Sequence, residues 1–398
     1  MSLSEQHKEQ LLMIVSRFPF PLDKGDKLRA FHQLKILSKT YRITLVALSS
    51  HAVSDNAFNQ VSPYCEHVKI VRLSVWSKAV NLFRFFLSNQ PFQVGYFYRS
   101  KGKRLIKELI HINNFKHIYC QLIRTSEYVK HVHHIPKTID YMDALSMGIK
   151  RRIDEQPFYK KWLFKMEAKR LIAYEREIFD YFENKTIISE QDRKLIMHPE
   201  AEKIICISNG TDARFFEKIP HTKEYDFVFV GNMNYPPNIK AVHAIHEHIL
   251  PHFKGARLLI SGATPHSSVV ALAANNPHID LTGWVDDIRL SYVRGQIFLA
   301  PMHIGTGMQN KLLEAMALEI PCVTTPLANN AIKAVHGEHI MVGETIEELI
   351  GCIEKLRNDA DFAKQLAINA SKFVDHHYSW EKSVALLVDT IEHTKSFR

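Results

Sequence analysis

The sequence predicts an α/β fold in two domains, and three observations carry that expectation. Apolar segments of strand length alternate with segments of helical periodicity along almost the whole chain, the pattern of parallel sheets joined by crossover helices. A chain of 398 residues, 46% hydrophobic and 23% charged, has a globular balance and is long enough for two domains of ordinary size. A polar connection beyond Asn209 separates two alternating series and places a hinge at 208–225. The expected domains are therefore 1–207 and 226–375, followed by a terminal helix over 376–398.

In the first series the strands are expected at Leu11 to Ser16, Ile43 to Leu48, Val68 to Leu73, His117 to Gln121, Thr138 to Tyr141 and Thr186 to Ser189, with another near Lys203 to Ile207. Leu28, Phe31, Leu34 and Leu37 recur at helical spacing, and Trp162 to Phe182 reads as one long helix. The second series gives strands at Asp226 to Val230, Ala256 to Ser261, His278 to Thr282, Ile297 to Ala300, Cys322 to Thr325 and His339 to Val342. No repeat of 20 to 50 residues is present.

Composition narrows the functional classes. No stretch approaches the roughly 18 to 20 apolar residues of a membrane span, and Met1 to Gln10 lacks the basic start and apolar centre of a signal peptide, so a cytoplasmic location is expected. Five widely spaced cysteines without a C-x-x-C pattern argue against both a disulfide framework and zinc. His131, His133 and His134 form an H-x-H-H run with no nearby Cys or carboxylate. No metal or other cofactor is expected. The net charge of +9 is uneven: residues 1 to 200 hold 33 Lys and Arg against 20 Asp and Glu. Such a basic half attracts anionic surfaces, and with no nucleic-acid motif present a membrane surface is the stronger expectation.

The stretch from Ala300 to Pro321, APMHIGTGMQNKLLEAMALEIP, is the most informative. Gly305 and Gly307 let the backbone turn tightly and approach a ligand, and a helix beginning near Met308 offers unpaired N–H groups and a positive dipole end. Lys311 adds a point charge suited to phosphate, and Glu314 projects from the same helical face, where a carboxylate accepts from hydroxyls. Phosphate and a vicinal diol together describe a nucleotide sugar. The plainer reading of the same residues is a surface helix with one i,i+3 ion pair.

That stretch resembles the block of family-4 retaining glycosyltransferases in which a glycine loop precedes E-A-M-A-x-G-x-P-V: Glu314, Ala315, Met316, Ala317, Pro321 and Val323 are in register with it. Phe229-Val230-Gly231 before Asn232, Ser261-Gly262-Ala263, and Gly283-Trp284-Val285-Asp286 are similar to successive strand ends of the same domain, and Asn209-Gly210-Thr211-Asp212 to the N-G-V-D preceding it. Pro19 to Arg29, PFPLDKGDKLR, resembles the first-domain glycine loop of sugar transferases from bacterial exopolysaccharide clusters. The resemblance implies a GT-B fold, two Rossmann-like domains facing each other across a cleft with the last helix crossing back to the first. It implies a retaining, hexosyltransferase-like enzyme that moves a sugar from a nucleotide-diphosphate donor to a cell-surface glycan or lipid-linked precursor. The donor nucleotide would be held by Gly25, Lys27, Gly231, Asn232, Gly262, Trp284, Val285, Gly307, Met308, Gln309, Asn310, Lys311 and Glu314. Glu314 would take the ribose, the 307–311 turn the phosphates, and the 283–285 turn the base.

The chain departs from the family pattern in three places. Thr306 stands where many members carry the first of two glutamates. Asn232 to Asn238, NMNYPPN, replaces an Arg and a Lys-Gly that serve the diphosphate. Gln121-Leu122-Ile123-Arg124 follows the strand on which relatives place a reaction-centre histidine. Arg124, Asp143 and Thr306 are therefore the candidate catalytic residues, with Asp140 a further candidate for an acceptor hydroxyl and helix capping the simpler role for Asp143. Two aromatic and basic clusters suit a bilayer interface, Trp76, Ala79, Val80, Phe83, Phe86 and Leu87 on one helical face, and Phe158 to Phe164, FYKKWLF; core packing is the alternative for each. Two other functions compete with transfer: a GT-B nucleotide-sugar epimerase, and a catalytically silent binding or scaffold protein.

Overall fold

In the computed structural model, which describes residues 8–74, 81, 86, 88–154, 156–304 and 308–396, the opening run QLLMIV forms strand β1, Gln10–Val15. Its apolar side chains divide by the period of two that a strand imposes. Leu12 and Ile14 enter one buried cluster, whereas Leu11, Met13 and Val15 enter another on the opposite face. A strand buried on both faces is apolar throughout, which is why no alternation marks it in the sequence.

Six further strands complete the first sheet: β2 Arg42–Ser49, β3 His67–Arg72, β4 Phe115–Gln121, β5 Lys137–Asp140, β6 Asn184–Ile187 and β7 Ile205–Cys206. Their order is β3-β2-β1-β4-β5-β6-β7, and every pairing is parallel, with Leu12 opposite Thr44 on one side and Ile118 on the other. The second sheet takes β8 Tyr225–Val230, β9 Leu258–Ser261, β10 Ile279–Leu281, β11 Gly295–Ala300, β12 Cys322–Thr324 and β13 Met341–Val342, in the order β10-β9-β8-β11-β12-β13, again all parallel. Each segment expected as a strand is one. In both sheets the strand order reverses direction at one point, between β1 and β4 and between β8 and β11, and open α/β sheets bind ligands beyond the carboxyl ends of the strands at such a point.

The chain divides into two compact units, Met1–Ser208 with Glu381–Arg398, and Asn209–Trp380. The last helix, Trp380–Ser396, thus returns to the first unit. Val384, Leu387 and Ile391 recur at helical spacing and are buried in the cluster that holds Leu11, Met13 and Val15, while Asn184 donates to the Thr390 carbonyl at 3.1 Å and accepts from Thr394 at 2.7 Å. In the second unit the departing and returning chain segments lie side by side. Thr211 N donates to the Tyr378 carbonyl at 2.7 Å, and a Cβ on Gly210 would fall 2.1 Å from the Trp380 nitrogen, so only glycine fits there.

Candidate functional site

Four strand ends of the second unit meet beside its reversal point. Gly231 follows β8, Gly262 follows β9, Gly283 lies just beyond β10, and the segment after β11 leads to the Asn310–Ala317 helix. The glycines interlock. Gly231 N donates to the Ser261 carbonyl at 3.0 Å, and Gly262 N to the Gly283 carbonyl at 2.9 Å. Gly262 has φ +138°, and a Cβ there would fall 1.9 Å from the Gly231 carbonyl oxygen, a distance no side chain survives. On Gly231 a Cβ would meet Asn238 Nδ2 at 2.6 Å and Lys311 Nζ at 3.2 Å, which places the lysine directly over this glycine. Below the turns, the Ser261 hydroxyl joins those of Thr282 and Ser291 at 2.8 and 2.7 Å and fixes the floor.

Lys311 and Glu314 occupy one face of the Asn310–Ala317 helix, whose other face buries Leu312, Leu313 and Met316. The helix starts two residues later than the sequence suggests, and Gln309 at its N-cap makes no side-chain cap. The Lys311 ammonium donates to Asn238 Oδ1 and lies 4.7 Å from the centre of the Phe229 ring, partners that carry no full charge. Asn238 in turn donates to the Asn232 carbonyl at 2.9 Å. Asn232 accepts through its own side chain from Asn234 N and from Thr264 Oγ1, both at 3.0 Å. The NMNYPPN segment therefore supplies amides that hold Lys311 in place. Glu314 accepts from the Tyr292 hydroxyl at 2.7 Å.

Burial pushes the Lys311 ammonium down to about 7, with Glu314 pulling it partly back. Burial likewise pushes the Glu314 carboxyl up to about 7; Tyr292 and Lys311 oppose this and Asp212 adds to it. Both residues are thus held with their charged forms disfavoured. An anion beside Lys311 and hydroxyl donors beside Glu314 would relieve both, which is the pairing of groups a nucleoside diphosphate presents.

The remaining expected contacts surround this pair. Trp284 is 59% exposed, so its ring is not part of the core, and Val285 beside it is half-buried. Met308 packs against the core of the second unit, and Asn310 accepts from Asn209 at 3.0 Å. Thr306 and Gly307, with Gly305, lie outside the described residues. Tyr292 and Asn238 were not among the residues expected in the site. Both act through partners distant in sequence, and only the abundance of amides in NMNYPPN hinted at the second.

At the carboxyl edge of the first sheet most of the charges are already matched. Gly25 opens the Gly25–Leu37 helix, and a Cβ on it would meet nothing within 4 Å. Lys27 pairs with Asp23 at 2.8 Å and Arg17 with Asp26. Asp140 has no exposed surface: it binds Arg29 at 2.6 Å and accepts from Tyr119 at 2.8 Å, so its carboxylate anchors the helix and does not face an acceptor. Arg124 differs from these. Its guanidinium lies over the Phe97 ring at 4.9 Å, and its Nε is buried without a hydrogen-bond partner. Burial and the neighbouring Arg17 lower its pKa to about 10, while Asp26 and Asp143 oppose the shift. Arg124 and Asp143 are thereby brought within electrostatic reach of each other. Asp143 precedes the Leu145–Arg151 helix, whose N-cap position belongs to Ala144. A cavity of about 470 Å³ is lined by Arg17, Phe20, Lys24, Lys27, Ser50 and Tyr96, and by Phe97, the ring on which Arg124 rests.

Two parallel sheets flanked by helices, with a last helix returning to the first unit, make this a GT-B protein. Residues 224–359 match the model of the family described as glycosyl transferases group 1. A 44.6 kDa protein of the cps region of Klebsiella pneumoniae, described as uncharacterized, is 23% identical over 398 residues, covering 94% of this chain and 97% of its own. The capsular polysaccharide biosynthesis glycosyltransferase CapM of Staphylococcus aureus is 31% identical over 113 residues, 27% of this chain and 30% of that protein. The crystal structure of Anabaena HepE in complex with UDP and glucose superposes with a TM-score of 0.70 at 13% identity, covering 97% of this chain and all of that one. Among the described residues no helix is long and apolar enough to cross a membrane, and no three His, Cys, Asp or Glu side chains gather as a metal site.

Proposed function

We propose that the protein is a retaining glycosyltransferase that moves a sugar from a nucleotide-diphosphate donor to a cell-surface glycan or its lipid-linked precursor, working in the cytoplasm at the inner face of the membrane. The observation that carries this reading is the placement of Lys311 over Gly231, which interlocks with Gly262, with Glu314 beside Tyr292 on the same face of the lysine's helix. In this reading Glu314 accepts from the ribose hydroxyls, Lys311 and the helix N-terminus bind the diphosphate, and exposed Trp284 packs on the base. As the bond from the sugar's anomeric carbon to the diphosphate breaks, negative charge gathers on the departing phosphate oxygen, and a fixed cation lowers the energy of that state. The acceptor oxygen then bonds to the anomeric carbon, and its proton leaves toward the diphosphate. In this reading the acceptor enters through the cavity beside Arg17 and Lys24, and Arg124 and Asp143, electrostatically coupled to each other, orient it. CapM's role in capsular polysaccharide and the UDP bound to HepE favour such a donor and acceptor. Thr306 takes the place of the glutamate that relatives aim at the donor sugar.

The test is a panel of nucleotide sugars, read by thermal shift, nucleotide release and sugar interconversion. Release with a donor-induced shift is expected, and Glu314→Ala is expected to remove the shift. Interconversion without release would instead identify an epimerase, and no shift with any donor would overturn both enzymatic readings. Donor affinity unchanged in Glu314→Ala would overturn the assignment of the ribose site.

A further inference from the structure

The long helix Phe158–Phe179 carries a surface that neither the core nor the candidate site uses. Its buried side chains, Ala168, Leu171, Glu175 and Ile178, follow helical spacing and define the stripe that faces the first unit's core. At 3.6 residues per turn, Phe158, Tyr159 and Trp162 lie on the opposite side, Trp162 being the i+4 neighbour of Phe158 and the i+3 neighbour of Tyr159. They are 87, 58 and 55% exposed. Three large aromatic side chains on one turn, turned away from the core, form an apolar patch that a soluble domain does not need. The outward stripe then changes character, continuing through exposed Lys165, Lys169 and Arg176. Around the aromatic tip the local charge is strongly positive, with eight Lys and Arg against three Asp and Glu between residues 150 and 170.

The second aromatic cluster reaches the same helix. Glu167 accepts from Phe92 N and Gln93 N at 2.8 and 2.9 Å, and Arg170 donates to the Phe86 carbonyl at 3.1 Å. Phe86, stacked on Phe92, is itself 45% exposed. The other members of that cluster, Trp76, Ala79, Val80, Phe83 and Leu87, lie outside the described residues.

We propose that Phe158, Tyr159 and Trp162, with Lys160, Lys161 and Lys165 around them, dock the protein on an anionic bilayer surface. The inference rests on the reading of the protein as a transferase acting at the membrane, but the docking itself requires no donor. Amphipathic Tyr and Trp rings settle at the headgroup level, Phe enters the acyl boundary, and Lys165 along the same stripe, with Lys160 over the Tyr159 ring, meets lipid phosphates. Charge complementarity is what selects this occupant over a second protein copy: two copies of one cationic patch repel each other, whereas an anionic leaflet attracts each lysine.

Flotation of the full-length protein with vesicles of equal parts phosphatidylglycerol and phosphatidylcholine tests it, with pure phosphatidylcholine vesicles as the comparison. At about 0.1 M salt the protein is expected to float with the anionic vesicles only, and raising the salt to about 1 M, where the screening length falls from about 10 to about 3 Å, is expected to release it. The triple variant Phe158→Ser, Tyr159→Ser, Trp162→Ser and the double variant Lys160→Glu, Lys161→Glu are each expected to lower the bound fraction about tenfold. Failure of the unaltered protein to float, equal flotation with neutral vesicles, or undiminished flotation of both variants would each overturn the proposal. So would a sedimentation experiment in which the unaltered protein is a dimer that ignores vesicles and the triple variant a monomer. Donor-induced thermal shift, measured on the same variants, is expected to persist, which separates a failure of docking from a failure of the transferase reading.

Discussion

The carboxyl edges of the two sheets are built from the same parts, glycines, lysines and carboxylates at strand ends, yet they treat their charges in opposite ways. In the first unit Arg29 is bound to Asp140 with no exposed surface on either side chain, and Arg17 and Lys27 are paired with neighbouring carboxylates. In the second unit Lys311 rests on an amide oxygen and a ring, and Glu314 on a phenol. In the first arrangement opposite charges compensate one another's desolvation, so neither partner can be removed alone without cost. In the second, burial disfavours the charged form of each group. Similar sequence motifs therefore do different work, and only the partners reveal which.

The largest effect should come from undoing the first arrangement. Arg29→Met strands the Asp140 carboxylate in the interior beside Tyr119, and removing one member of a buried pair costs about 3–5 kcal/mol. Calorimetry should show the transition of the first unit falling sharply while that of the second is unmoved. An unchanged transition would mean that the pair is not the anchor of the Gly25–Leu37 helix.

The glycines give the next test. Gly262→Ala forces a Cβ to within 1.9 Å of the Gly231 carbonyl at a φ of +138°, and a loss of about 3 kcal/mol or more is expected, together with loss of donor binding. Gly25→Ala meets nothing within 4 Å and has no positive φ to strain, so the first unit should stay within about 1 kcal/mol of its original stability. Were both substitutions equally harmful, the glycine of the first loop would be required by something other than its own packing.

These differences set how far the sequence could be read. The strands were legible because apolar runs such as QLLMIV and YDFVFV need only local information, and all the expected strands are present. Lys311 and Glu314 were legible because three residues of helix put them on one face. What stayed hidden depends on residues far apart in sequence: Asn238 beneath Lys311, Tyr292 beneath Glu314, and Arg29 on Asp140. Asp140 read as a possible acceptor contact because its strand ends at the sheet's edge, and nothing local announces that an arginine 111 positions earlier fills its coordination. Left-handed backbone at Leu122, Met142 and Thr264, all beyond strand ends, likewise has no sequence signal, since none of the three is glycine.

A smaller effect tests whether the Lys311 and Glu314 pair is held under electrostatic stress while no ligand is bound. Either Lys311→Met or Glu314→Gln removes one desolvated charge, so near pH 7 the ligand-free second unit should melt about 2–4 °C higher, the size expected from about 1 kcal/mol, even as donor binding is lost. A fall in melting temperature for both variants would show that each charge compensates the other, as in the Arg29 and Asp140 pair.

The pH dependence follows from the same two shifts and distinguishes the partners. Glu314 rises from 4.5 to about 7 on folding, so between those values the folded state holds a proton that the unfolded state has lost, and stability falls as pH climbs through this window. Lys311 drops from 10.5 to about 7, so between about 7 and 10.5 the unfolded state holds the extra proton, and stability rises with pH. Together they place a shallow minimum near pH 7 in the stability of the ligand-free second unit. Glu314→Gln should remove the acidic side of that minimum and Lys311→Met the alkaline side, each read from melting temperatures across pH 4 to 11. A saturating nucleoside diphosphate should fill in the whole minimum, because a phosphate beside the ammonium and hydroxyls beside the carboxylate favour the charged form of each group. No pairing at the edge of the first sheet should respond to that ligand in the same way, since Arg29 and Asp140 already satisfy each other.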